Sequence, residues 1–523
     1  MAQIKELAVY EVDVAPETGK VFTPAFFVES TAPENIDDKE SVLPTPDYCK
    51  PSTIDHIVET LAKQEKPKLL ITVHGFNTPR DRVLKTYRTS FVAVNEDAEL
   101  QGHGVVCIGY RWPSEAMGTP WRSGLRAAPL FLIGVLFTAL AAVYLVNFYF
   151  EICDWWKLAR VAITAITATM AVIPLTLFLL RLIVYFRDGF RATNYGVPDL
   201  VNLIRDIDDK LSKLPKPRSL RPDADDLAGR VDLSFIGHSM GAFVVTNAVR
   251  ILSDVFSPEA IAAMRHGPEM LGSADERRQR EIRSKIGKSF LLRRLVLVSP
   301  DIPAEVLLLG RSNALHSSLI RFQEAHLFSN EGDEVLRDIS TTANFFSLPT
   351  KSRRFGYRLG NVGVRTGWGI SEQLTLGNLR VGARTLYELY AELDAAQSEE
   401  SFAQRLTYFD CTDSINDKGD GVVTDATRGA PPNLSWLGHL RLLWVYVRGK
   451  VDVHSGYFLK PSLVRRLIYR FAAIGYGDTE KLYGGLPALN ALCEDYQIRA
   501  LKPGESSVAA ATAQDAVHAA ASS

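Results

Sequence analysis

The pentapeptide Gly237-His238-Ser239-Met240-Gly241 lies between a strand-like run, VDLSFI (231–236), and a helix-like one, AFVVTNAVRIL (242–252). A chain that turns sharply from strand to helix through two glycines lifts the central serine hydroxyl out of the sheet, where it can act as a nucleophile. A serine hydroxyl is weak at neutral pH, so it needs a base to take its proton and a carboxylate to hold that base in one tautomer. Acyl transfer also needs backbone donors aimed at the developing oxyanion. The amides of Met240 and of Phe76, which follows His74-Gly75, are the expected pair. His74 and Asn77 are expected to brace that loop rather than react.

The order serine, acid, histidine directs the search downstream of Ser239. Asp301 follows the first strand after the serine and Asp333 follows the second. Asp333 is the preferred acid; Asp301 is the alternative, with a helix N-cap ahead of PAEVLLL as its other role. Three histidines come after both acids. His518 falls in an Ala/Ser-rich tail, and His439 sits in the apolar stretch SWLGHLRLLW, which suits a packed core or a membrane-facing role. His454, followed by Ser455-Gly456, is the candidate base.

These groups require strands that end on one edge. KLLITV (68–73) reads as a buried strand leading into His74, and Arg80 to Val94 as the helix after it. VVCIGY (105–110) is the next strand, and Asp199 to Leu211 is an amphipathic helix returning to the sheet. Strands follow at 231–236, 294–298 and 323–328, with another at 405–410. The amino-terminal MAQIKELAVYEVDV has alternation without the apolar core of a secretory leader, and reads as the first strand. Alternating strands and helices predict an α/β fold with a mostly parallel sheet covered on both faces. Residues 258–288 read as a polar, helix-prone surface addition and 503–523 as a disordered tail.

Ala127 to Phe150 and Val161 to Leu180 carry no charge, and a link with Glu151, Asp154, Lys157 and Arg160 separates them. Each run can cross roughly 30 Å of hydrocarbon as a helix, so 127–186 is expected to be a transmembrane hairpin inserted between 1–126 and 187–502 of one domain. Trp121, Trp155, Trp156 and Tyr185 stand at the expected interfaces. Arg122, Arg126, Arg181, Arg187 and Arg191 in the flanks outnumber Lys157 and Arg160 in the link, which places both flanks, and the catalytic domain, on the cytoplasmic side. Five scattered cysteines suit a reducing compartment. A net charge of -1 without a basic block gives no reason to expect nucleic acid as a partner.

Seven segments in this order resemble the α/β-hydrolase superfamily, within it a branch of poorly characterised bacterial serine hydrolases: VHGFN (73–77), RWPS (111–114), GHSMG (237–241), VSPDIP (298–303), SNEGDEVL (329–336), RLGN (358–361) and VHSGYF (453–458). The resemblance implies the α/β-hydrolase fold and a Ser239, Asp333, His454 triad that cleaves an ester-like bond without metal or organic cofactor. The inserted hairpin departs from the family pattern and turns the expected substrate toward a lipid or acylated molecule at the bilayer, a carboxylic ester or thioester. The rival expectation is a catalytically idle scaffold serving as a membrane-tethered interaction protein. A channel is disfavoured because neither charge-free run holds an ionisable residue at mid-depth.

Overall fold

The computed structural model describes residues 7–15, 23–33, 45–114, 162, 164, 179, 181–214, 230–253, 284–308, 314–347, 357–392, 400–424, 427, 434–435, 437–439, 441–442 and 453–503. The expected membrane hairpin falls almost wholly outside them: nothing of 127–150 is described, and of 161–180 only Ala162, Thr164 and Leu179. Among the described residues no helix is long and apolar enough to cross a membrane. The expected tail is described only at Pro503.

Fifteen strands are described: β1 (Ala8–Val12), β2 (Ala25–Glu29), β3 (Cys49–Ser52), β4 (Lys68–Val73), β5 (Val105–Arg111), β6 (Val231–His238), β7 (Lys285–Ile286), β8 (Phe290–Val298), β9 (Glu324–Ser329), β10 (Val362–Val364), β11 (Gly369–Ser371), β12 (Leu379–Val381), β13 (Arg384–Thr385), β14 (Thr407–Asp410) and β15 (Arg499–Leu501). A 12-stranded sheet runs in the order β11-β15-β14-β9-β8-β6-β4-β5-β2-β1-β3, with β7 paired to β8, while β10, β12 and β13 form a small separate sheet. From β2 through β14 neighbouring strands are parallel; β1, β3, β7 and β15 add antiparallel pairs toward the margins. The chain is thus a mixed α/β protein built on a large, mostly parallel sheet.

Side chains one residue apart on a strand point to opposite faces, which splits the apolar residues into two cores. Leu69, Ile71 and Val73 of β4 pack on one side with α3 (Val197–Lys213) and α4 (Met240–Leu252). Leu70, with Cys107 of β5 and Ile236 of β6, packs on the other with α2 (Arg80–Glu96) and α6 (Leu463–Ala473). α1 (Ile54–Ala62) and α5 (Ala314–Arg321) also cover the first face. Both faces of the sheet are dry, so its central strands read as continuous apolar runs. Cys49, Cys107, Cys411 and Cys493 are buried free thiols.

Of the segment 258–288, residues 258–283 lie outside the described residues. The end of the segment read as a solvated surface addition joins the sheet: Ile286 is buried and pairs with Phe290 in β8. Asp208 fixes the turn between the two strands by accepting from the amides of Lys288 and Ser289.

Register brings the strand ends level. Val73 lies opposite both Tyr110 and Gly237, His238 opposite Val298, and Val298 opposite Phe328. The loops that begin at His74, Trp112, Ser239, Ser299 and Asn330 therefore open side by side at the carboxyl edge, where ligands of parallel α/β sheets bind.

Candidate active site

Ser239 sits between β6 and α4 with φ 53° and ψ −125°, a conformation that L-residues hold only under constraint from their surroundings. The two glycines leave room for it. A Cβ on Gly237 would lie 2.7 Å from Ala242 Cα, and one on Gly241 would lie 2.3 Å from the carbonyl oxygen of Val73. The turn can be this tight only because neither residue has a side chain. The Ser239 amide donates to Val298 O (3.0 Å), and its carbonyl accepts from the Asp301 amide (3.0 Å), so both neighbouring strand ends hold it. Ser239 Oγ is buried and has no hydrogen-bond partner among the described residues.

The loop after β4 lies directly over this serine: a Cβ on Gly75 would come within 2.6 Å of Ser239 Cβ. Phe76 follows in that loop, and Met240 is the first residue of α4, so its amide has no intrahelical acceptor. His74 braces the loop, as expected. Its ring stacks on Trp112 at 5.1 Å, and Trp112 Nε1 donates to His74 O (2.8 Å). Burial pushes the His74 imidazole down to about 3, so it is neutral near pH 7.

His454 Nδ1 lies 2.6 Å from Asp333 Oδ2. A carboxylate only accepts, so Nδ1 carries the proton and Nε2 presents its lone pair. Asp333 is fully buried and well supplied with donors: Oδ1 accepts from the amides of Val335 (3.1 Å) and Leu336 (3.2 Å), and Oδ2 also accepts from Ser299 Oγ (3.1 Å). Asn330 donates from Nδ2 to Val453 O (2.9 Å) and so fixes the loop that carries His454. His238, the neighbour of the serine, holds the same loop from the other side, with Nε2 3.0 Å from His454 O and ring centroids 4.9 Å apart. A carbonyl accepts only, so His238 Nε2 is the donor; burial first, then the adjacent His454, pushes its imidazole down to about 3. The Phe76 ring stands 6.3 Å from that of His454. Serine, histidine, acid and the loop with Phe76 thus lie at one edge, with His454 joined to Asp333 and no hydrogen bond between Ser239 Oγ and His454 Nε2.

The other acid is engaged elsewhere. Asp301 Oδ1 forms an ion pair with Arg358 Nε (3.0 Å), and Oδ2 accepts from Ser340 Oγ (3.2 Å). Arg358 also donates to Tyr185 OH (2.9 Å). His439 is paired with Glu334 at 3.1 Å rather than with Asp333.

Four contributors to this region lie beyond the sequence reading. Ser299, Asn330 and His238 hold the acid and the histidine loop, and their roles depend on strand register that no local pattern displays. The fourth is Asp188, which the sequence shows as the last residue of Tyr185-Phe186-Arg187-Asp188, directly after the expected hairpin, with no role attached. It is fully buried on the helical stretch 181–191. Its Oδ2 accepts from the amide of Asn77 (3.0 Å) and from Ser114 Oγ (2.9 Å), and Oδ1 faces Arg191 (3.3 Å). Burial pushes its carboxyl up to about 6, against the pull of these partners, which leaves it mostly ionised near pH 7.

A cavity of about 390 Å³ opens beside these groups. Val83, Tyr87, Val184, Val335, Ile339 and Phe458 give it an apolar wall, while His74, His238 and His454 reach it on the polar side. Arg82 and Arg181 also line it, and among the described residues no carboxylate does. The volume and mixed lining suit a small organic ligand. Comparisons with protein-family models, with curated proteins and with solved structures returned no match.

Proposed function

We propose that this chain is a serine hydrolase of the α/β-hydrolase type that cleaves a carboxylic ester or thioester. The observation that supports it most is the pairing of a serine in left-handed backbone at a strand-to-helix turn with a buried carboxylate–imidazole couple at the same sheet edge. In this reading Ser239 Oγ attacks the carbonyl carbon while its proton passes to His454 Nε2. Asp333 holds the imidazole and stabilises the positive charge it gains. The amides of Phe76 and Met240 receive the oxyanion. The tetrahedral intermediate expels the alcohol or thiol, which takes the proton from His454. Water then repeats the cycle on the acyl-serine, releasing the acid and restoring the hydroxyl.

The apolar wall of the cavity accommodates an acyl chain. Because Arg181 and Val184 of the stretch directly after the second charge-free run line the same cavity, the reading extends to a lipid or acylated substrate presented at a bilayer by a membrane-anchored enzyme.

A fluorophosphonate probe is expected to label the detergent-solubilised protein once, and Ser239→Ala is expected to abolish the label. Labelling that persists in Ser239→Ala would mean another nucleophile. For the anchor, the full chain is expected to remain in the membrane pellet after alkaline carbonate extraction. Release into the supernatant would remove the anchor and leave the hydrolase reading standing.

A further inference from the structure

The helical stretch 181–191 touches the site at three places. Val184 and Arg181 line the cavity. Tyr185 packs its ring edge-on against Phe76 (5.4 Å) and meets Arg358, the partner of Asp301, whose amide in turn holds the Ser239 carbonyl. Asp188 grips the loop after β4: one carboxylate oxygen accepts from the amide of Asn77, the residue next to Phe76, and from Ser114 Oγ, which itself accepts from the Thr78 amide (3.1 Å). Asn77 is left-handed at φ 56°. A backbone in that conformation persists only where its surroundings hold it, and a fully buried carboxylate that accepts from its amide while its other oxygen faces Arg191 helps to do so.

We infer that Asp188 is a positioning residue for the oxyanion loop, and that through it the helix leading out of the charge-free segment fixes where the Phe76 amide points. The helical stretch 181–191 is then a working part of the hydrolytic site. This rests on the serine-hydrolase reading above. An oxyanion donor acts only when it lies within hydrogen-bond distance of the place where negative charge develops. A loop freed to move by about 1 Å loses much of its effect on the transition state while ground-state binding in the cavity is retained.

The test uses the full-length protein, with hydrolysis of a p-nitrophenyl ester and the rate of fluorophosphonate labelling as readouts. Asp188→Ala is expected to lower kcat by about 10- to 100-fold with KM changed less than about twofold. Asp188→Asn keeps an acceptor oxygen for the Asn77 amide and is expected to recover most of the loss, a rescue that a purely structural role for the charge would not give. Ser114→Ala removes one arm of the grip without stranding Arg191, and is expected to lower kcat by about 3- to 10-fold; it decides the matter if Asp188→Ala does not fold. Wild-type kcat in folded Ser114→Ala and Asp188→Ala, with the wild type reactive to the probe, overturns this inference alone. A wild type inert to the probe overturns the hydrolase reading and the inference with it.

Discussion

His454→Ala is expected to lower kcat on an activated ester by a factor on the order of 10⁶, as far as Ser239→Ala lowers it. The two side chains act as one unit in the proposed mechanism: without the imidazole the hydroxyl has no group to take its proton, and without the hydroxyl the imidazole has no nucleophile to activate. The losses therefore do not add. The double variant should be no slower than either single one, and its residual rate would come from the Phe76 and Met240 amides and from binding in the cavity. Steady-state hydrolysis by the three purified variants, each checked for folding by its thermal transition, measures this. If His454→Ala retained more than about one hundredth of the wild-type kcat, the base would have to be another group. His238, whose ring lies 4.9 Å from that of His454, is poorly suited, since burial holds it neutral and its Nε2 is committed to the His454 carbonyl.

What the sequence displays and what it hides divide along the range of the interactions. β4 is found where its apolar run places it, from Lys68 to Val73, and α2 from Arg80 onward, because a buried parallel strand and the amphipathic helix beside it each write their period into consecutive residues. β8 is longer than its pattern. The apolar run is broken by Arg293 and Arg294, so the sequence marks only 294–298, yet the strand begins at Phe290. Both arginines are accommodated from outside the strand, Arg293 by Asp232 (2.6 Å) and Arg294 by Ala473 O (3.2 Å). The short marginal strands, such as β15 with three residues, carry too few positions to show an alternation at all.

The site follows the same rule. Ser239, with its glycines, is legible because a strand, a tight turn and a helix are all local. Strand order favours Asp333 over Asp301 without fixing the choice, which depends on which carboxylate another distant residue claims. Arg358 takes Asp301, and the sequence gives RLGN no charge partner by proximity. Asp188 is hidden more deeply still, separated from Asn77 by 111 positions with the charge-free runs between them.

That partition between the two acids leads to the sharpest contrast in the proposed site. Asp333→Asn is expected to lower kcat by about 10⁴-fold with the fold retained. The new side chain can still accept from the Val335 and Leu336 amides. However, if its amino group faces His454 Nδ1, the imidazole must place its proton on Nε2, and a protonated Nε2 cannot take the proton of Ser239. Asp301→Asn should behave in the opposite way. It leaves the tautomer of His454 untouched and strips the buried Arg358 of its counter-charge, so stability falls by about 3–5 kcal/mol while kcat of the folded protein stays within about tenfold of wild type. Denaturant midpoints and kcat measured well below the unfolding transition separate the two effects. A reversed result, with Asp301→Asn inactive but stable and Asp333→Asn active, would transfer the role of orienting acid to Asp301. It would also require His454 to leave a carboxylate that it meets at 2.6 Å.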